Sequence, residues 1–162
     1  MSSTELPESP RRVASLLAAL GHDQPVVMLP ESGKTSAEAA AGLGCSVAEI
    51  AKSIVFRRLA DDAAVMVVAS GVNRVDEAKV AALVGPIGRA NAAFVKERTG
   101  YTIGGVCPIG HAGPTVMLVD QDLLRFERVW AAAGHPHAVF CATPAQLLAM
   151  TSAPLADVAL QA

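Results

Sequence analysis

Apolar residues at Val13, Leu16, Leu17 and Leu20 recur at helical spacing until Gly21 stops them, which predicts a first amphipathic helix with Arg11 and Arg12 at its entrance. Pro25-Val26-Val27-Met28-Leu29 predicts a short strand closed by Pro30 and a polar Glu31-Ser32-Gly33-Lys34 turn. Thr35-Ser36-Ala37-Glu38 then has the spacing of a capping box ahead of an alanine-rich helix ending at Gly42 or Gly44, and Ser46-Val47-Ala48-Glu49 repeats that signal for a second, shorter helix leading to Lys52. The β-branched runs from Ser53 to Arg57 and from Ala63 to Ala69 flank Asp61-Asp62 and predict a hairpin, with Lys52 at the beginning of its first strand.

Helical spacing returns from Asp76 to Leu83, with Val75, Val80 and Leu83 available to a core and Gly85-Pro86 as a stop. Asn91 caps a short helix through Lys96, and Thr115 to Val119 predicts another strand, followed by a turn or helix start at Asp120-Gln121-Asp122. Leu123-Leu124-Arg125-Phe126 has too little period to choose between helix and strand. Val129-Trp130-Ala131-Ala132 and Ala138-Val139-Phe140-Cys141 predict two strands around Gly134-His135-Pro136, and Thr143-Pro144 opens a helix through Met150, with Leu155 to Leu160 closing the domain. Hairpins mixed with short helices, rather than regular strand-helix alternation, predict an α+β fold with a mixed sheet flanked by helices. Residues 1–12 are expected to be a flexible N-terminus and 13–162 a single domain.

Composition narrows the function. The chain has 162 residues, 52% hydrophobic and 17% charged, with a net charge of -2, so it has a core to bury and no bulk attraction to nucleic acid; RNA contact must be local, and DNA binding is not expected. No apolar run reaches membrane-span length and Met1 to Pro10 lacks a signal-peptide pattern, so no membrane contact and a cytoplasmic location are expected. Cys45, Cys107 and Cys141 are odd in number and show no CxxC spacing, which suggests neither disulfides nor zinc.

Five of the 13 glycines and two of the 10 prolines fall between Gly100 and Pro114. Such a stretch is either an ordinary tight loop or a pocket wall made of backbone N–H groups. Upstream, Lys52 stands at the mouth of an apolar run, where its head is either solvated or directed into a cleft. A cysteine hydrolase would need Cys107 or Cys141 beside His111, His135 or His137, and no spacing compels that; as simple loop and core thiols they fit equally. The histidines lack zinc-ligand spacing, and no GxSxG, GxGxxG or GxxxxGK[ST] is present. No metal and no cofactor are expected. A lysine with backbone donors remains, a set that stabilises developing negative charge without a protein nucleophile.

Ala51-Lys52-Ser53-Ile54, Val75-Asp76 with Lys79, and Arg98-Thr99-Gly100-Tyr101-Thr102-Ile103-Gly104-Gly105-Val106-Cys107-Pro108-Ile109-Gly110 resemble the YbaK/EbsC family of aminoacyl-tRNA deacylases, freestanding relatives of the editing domain of bacterial prolyl-tRNA synthetases. The resemblance covers about residues 13 to 160. It implies a largely antiparallel, partly open barrel-like sheet, and hydrolysis of the ester joining a small misattached amino acid (cysteine, alanine, serine, threonine or an analogue) to tRNA, with tRNA-Pro expected. It implies that Lys52 orients the substrate, that the N–H groups of Gly104 and Gly105 polarise the ester carbonyl, and that Ser53, Tyr101, Val106 and Pro108 contact substrate. Some branches carry a pocket histidine that contacts the terminal adenosine, a place open to either His135 or His137. The partners implied are the acceptor end of a mischarged tRNA, held by a basic group drawn from Lys52, Arg57, Arg58 and Arg74, and a prolyl-tRNA synthetase. Ala138-Val139-Phe140 departs from members with an acidic residue in that strand, and motivates the alternative of a non-catalytic aminoacyl-tRNA or synthetase-binding module.

Overall fold

The computed structural model describes residues 6–30 and 35–160. Along these the chain runs α1 (Glu8–Ala19), β1 (Val26–Met28), α2 (Ser36–Leu43), a 3-10 turn at Val47–Glu49, β2 (Ile50–Arg58), β3 (Ala64–Ser70), α3 (Glu77–Val84), β4 (Ile87–Arg89), α4 (Ala92–Thr99), β5 (Thr115–Asp120), a second 3-10 segment (Gln121–Arg125), β6 (Val129–His135), β7 (Ala138–Ala142), α5 (Pro144–Thr151) and β8 (Leu155–Ala156). The polar turn expected at residues 31–34 lies outside the described residues. The first helix starts at Glu8 and buries Pro10, so packed structure begins upstream of the expected boundary at residue 13. Residues 1–5 are not described.

Local chemistry sets the helix starts. Thr35 Oγ1 accepts from the Glu38 N–H at 3.1 Å while Glu38 Oε1 accepts from the Thr35 N–H at 3.3 Å, and Gly44 ends α2 at φ 71°. Asp76 and Asn91 cap α3 and α4, and Thr143 caps α5 with Pro144 in its first turn. Leu123, Leu124 and Arg125 fall in the 3-10 segment, begun by the Asp120 carboxylate accepting from the Asp122 N–H at 2.9 Å, and Phe126 is extended just beyond it.

The sheet is mixed and open, in the order β1-β7-β6-β2-β3-β5-β8 with β4 also on β2. Among the described residues four pairings are antiparallel and three parallel. Every residue of β3 is buried, which explains its unbroken apolar run: Met66 and Val68 face one core with α1, β6 and α5, while Val65, Val67 and Ala69 face another with Val80 of α3. A third cluster lies under α2, where Leu29, Ala39 and Ala40 meet Ile50 and Val139. β4 was not expected; its three residues include Gly88 and form a strand only because β2 offers a free edge.

Gly71, just past β3, joins this framework to the 3-10 turn, because a Cβ there would stand 2.3 Å from the Val47 carbonyl oxygen and 2.9 Å from Ser36 Cβ. Gly71→Ala should therefore cost about 1–3 kcal/mol through overpacking. Thermal unfolding checks it, with a Tm lowered by several degrees as the expected outcome; an unchanged Tm would show that the turn yields freely.

Candidate active site

The outer edge of β2 is divided between two neighbours. β6 pairs with it only at Ile50 and Ala51, and β4 only from Phe56 to Arg58. The bonds from Arg58 N–H to Ala63 C=O (2.9 Å) and from Gly71 N–H to Ile50 C=O (2.7 Å) fix the even-numbered residues of β2 as those bonded to β3. Odd-numbered residues thus turn their N–H and C=O outward. Ala51 spends them on β6 and Arg57 on β4, but Ser53 lies between the two ladders and directs both groups into the gap. There the strands part to leave a cavity of about 760 Å³, lined along β2 by residues 50–55 and opposite by Trp130, Ala131 and Ala132. Ser53 adds a hydroxyl that is buried and has no hydrogen-bond partner among the described residues.

The glycine-rich stretch supplies another wall. Gly100, Gly104 and Gly110 have φ of 84°, 100° and 76°, a region that side chains disfavour, so the turns depend on glycine. Tyr101 closes the loop by donating its hydroxyl to the Ile109 carbonyl at 2.7 Å, and Arg12 adds a bond to the Gly110 carbonyl at 3.1 Å. Gly105 is pressed against β6, since a Cβ there would lie 2.7 Å from the backbone nitrogen of His135. A bulge between Ala132 and His135, with Gly134 at φ 90°, turns His135 onto the cavity wall. His135 Nδ1 accepts from the His137 N–H at 3.1 Å, so the neutral ring carries its proton on Nε2 and offers a donor.

Lys52 lies half-buried on the cavity and opposite Ala69 on β3. Burial lowers its pKa, the Asp120 carboxylate opposes that, and Arg74 adds to the lowering. No carboxylate is within ion-pair distance of Lys52 among the described residues. Asp120 is fully buried at the end of β5 and accepts from Ser70 N–H at 3.1 Å and Asn73 Nδ2 at 2.8 Å, fixing the turn after β3 beside the lysine.

A cation and unspent donors thus converge on one cleft, and a profile of the aminoacyl-tRNA editing domain matches residues 30–150. The chain belongs to this editing-domain family. A solved structure of a candidate trans-editing enzyme for prolyl-tRNA synthetase superposes on it with a TM-score of 0.91 at 43% identity, covering 97% of this chain and 100% of that one. The hypothetical protein APE2540 superposes with a TM-score of 0.85 at 33% identity, covering 92% and 99%. The uncharacterized protein YwhH of Bacillus subtilis (strain 168) is 36% identical over 117 residues, 72% of this chain and 74% of YwhH.

Within this editing domain, Lys52, Ser53, Gly104, Val106 and His135 line the cavity together. Tyr101, Gly105, Pro108 and His137 stand behind the wall. Tyr101 is 1% exposed with its hydroxyl occupied, so it braces the loop instead of meeting a ligand. Gly105 donates its N–H to the Thr102 carbonyl at 3.0 Å, which corrects the expectation that both glycines offer donors; Gly104 N–H remains unspent among the described residues. Pro108 is buried, and His137 Nδ1 lies 3.1 Å from the Leu29 carbonyl. Arg57 pairs with Asp62 and Arg58 with Asp61, leaving Lys52 and Arg74 of the expected basic group. Asp120 escaped sequence reading, although a carboxylate ending an apolar strand is a signal for it.

Burial pushes the Cys107 thiol up to about 12, and His111, which sequence placed near it, contacts the Cys107 carbonyl oxygen at 2.9 Å. Burial also raises Cys141. Thiolate chemistry at neutral pH is thereby disfavoured. Among the described residues no three His, Cys, Asp or Glu side chains are grouped to hold a metal ion. Iodoacetamide at pH 7 should leave Cys107 unmodified in the native protein, as read by peptide mass spectrometry; rapid alkylation would reopen a cysteine mechanism.

Proposed function

We propose that the protein is a trans-acting hydrolase that removes a small misattached amino acid from tRNA, with tRNA-Pro the expected carrier. The observation that carries this reading is the meeting of Lys52, Gly104 and His135 on one cavity, where among the described residues the Gly104 N–H has no partner and no activated side-chain nucleophile is present. Membership of the editing family and the likeness to a candidate prolyl trans-editing enzyme support it. In the proposed reaction, water oxygen adds to the ester carbonyl carbon and the C–O bond to the ribose breaks. The proton given up by water passes to the ribose oxygen, releasing a free amino acid and an intact tRNA end. The vicinal ribose hydroxyl, which the substrate itself supplies, orients the water. Gly104 N–H faces the negative charge that grows on the carbonyl oxygen, and each such donor contributes about 10²–10³ in rate when aligned.

Lys52 is a compact cation with three donors, suited to hold the terminal phosphate or ribose against the wall. Lys52→Ala should lower kcat/KM at least about 100-fold and leave Tm unchanged, because removing a half-buried cation that has no ion-pair partner among the described residues takes no packed group from the core. Assay of tRNA-Pro charged with alanine, serine, threonine or cysteine checks this: a variant that clears its substrate at the wild-type rate refutes the site, and a wild-type protein that binds these tRNAs but clears none is the non-catalytic module.

Charge limits how much RNA is gripped. With Arg57 and Arg58 neutralised locally, Lys52 and Arg74 neutralise at most two phosphates, so the logarithm of affinity should fall against the logarithm of salt with a slope no steeper than about -1.4 for a single-stranded end. Titration of a non-hydrolysable aminoacyl-tRNA across salt measures it. A steep slope would reveal a wider RNA surface.

A further inference from the structure

Resting on the reading that the cavity holds an aminoacyl ester, we infer that Ser53 recognises the free α-ammonium of the substrate through its main chain, accepting the amino acid as a one-residue extension of the sheet. The two ladders on β2 stop on either side of this residue, at Ala51 and at Phe56. Its N–H and C=O are therefore presented to the cavity as a donor and acceptor unmatched among the described residues, which is the hydrogen-bonding face that one strand residue shows to another. An aminoacyl group is the complement. Its ammonium donates to the Ser53 carbonyl, and its ester carbonyl accepts from the Ser53 N–H.

Two further observations point the same way. Ser53 Oγ is buried without a partner among the described residues, and a buried hydroxyl left unpaired costs stability unless something else completes it. A bound ammonium has three donors, one for the carbonyl and one for this hydroxyl. The pairing also directs the side chain, because residues matched across a ladder share a face of the sheet. Ser53 shares its face with Val68, so the side chain of the bound amino acid is sent toward Val95, Val106 and Ala131 and away from the face of Lys52, whose neighbour across the ladder is Ala69. On a strand, adjacent side chains point oppositely. The cavity straddles the open edge, so the lysine is left to the nucleotide while the serine takes the amino acid.

The experiment compares 3′-alanylamino-3′-deoxyadenosine with its propionylamino counterpart, which has the same amide and one group fewer, the ammonium. Affinities are measured by calorimetry on the wild-type protein and on Ser53→Ala. The expected result is at least about tenfold weaker binding of the propionyl compound by wild type, the scale of a hydrogen bond to a charged group. Ser53→Ala should bind the alanyl compound several-fold more weakly while its Tm stays equal or rises, since it removes an unpaired buried hydroxyl. Equal affinity for the two compounds overturns the inference, and so does a lower Tm in Ser53→Ala, which would show that the hydroxyl has a structural partner. If wild type binds neither compound, the editing reading falls together with the inference. Discrimination without turnover of any mischarged tRNA sustains the inference and refutes hydrolysis.

Discussion

Each residue of a strand can satisfy only one neighbour along a given edge, and β2 has two strands on its outer edge. β6 holds the beginning and β4 the end, and a short unclaimed span remains between them. The pocket follows from that division. A sheet with one continuous ladder there would be filled by side chains of β6 packed against β2, with no room for a ligand. The split keeps Lys52, Ser53 and the loop from Gly100 to Gly110 around one space, while the doubly buried β3 supplies rigidity from behind.

The polar groups around that space fall into two sets. One set is spent on the fold: Asp120 on Ser70 and Asn73, Tyr101 on Ile109, Gly105 on Thr102, His137 on Leu29. The other is unspent among the described residues: Lys52, the Ser53 groups, Gly104 N–H and the Nε2 side of His135. Such a division is what a preorganised site requires, since groups fixed in advance need not reorganise during reaction.

Much of this was legible in the sequence where the cause is local. Thr35 with Glu38, Asn91, and Thr143 with Pro144 mark helix starts because their side chains bond to backbone within three residues. Lys52 and the glycine stretch stood out because a charge beside apolar residues and clustered glycines are each unusual by themselves. What escaped depends on partners distant in the chain. Ile87-Gly88-Arg89 carries no strand signal until β2 lends it a ladder, and Tyr101 reads as a ligand contact until Ile109 takes its hydroxyl. Arg57 and Arg58 read as an RNA-facing pair until the hairpin turn folds Asp61 and Asp62 back onto them. His135 and His137, alike in sequence, part ways because a bulge just before His135, which no periodicity announces, turns only the first onto the cavity wall.

The contact between Gly105 and His135 has a consequence for how the pocket can change. At that point the glycine loop and β6 touch backbone to backbone, with less space between them than one methyl group needs. The wall cannot close further on a smaller guest without displacing that backbone. Selectivity for what the cavity admits therefore resides in the volumes of side chains such as Val95, Val106 and Ala131, and gain or loss of a methyl group there would retune the pocket while the backbone contact stays as it is.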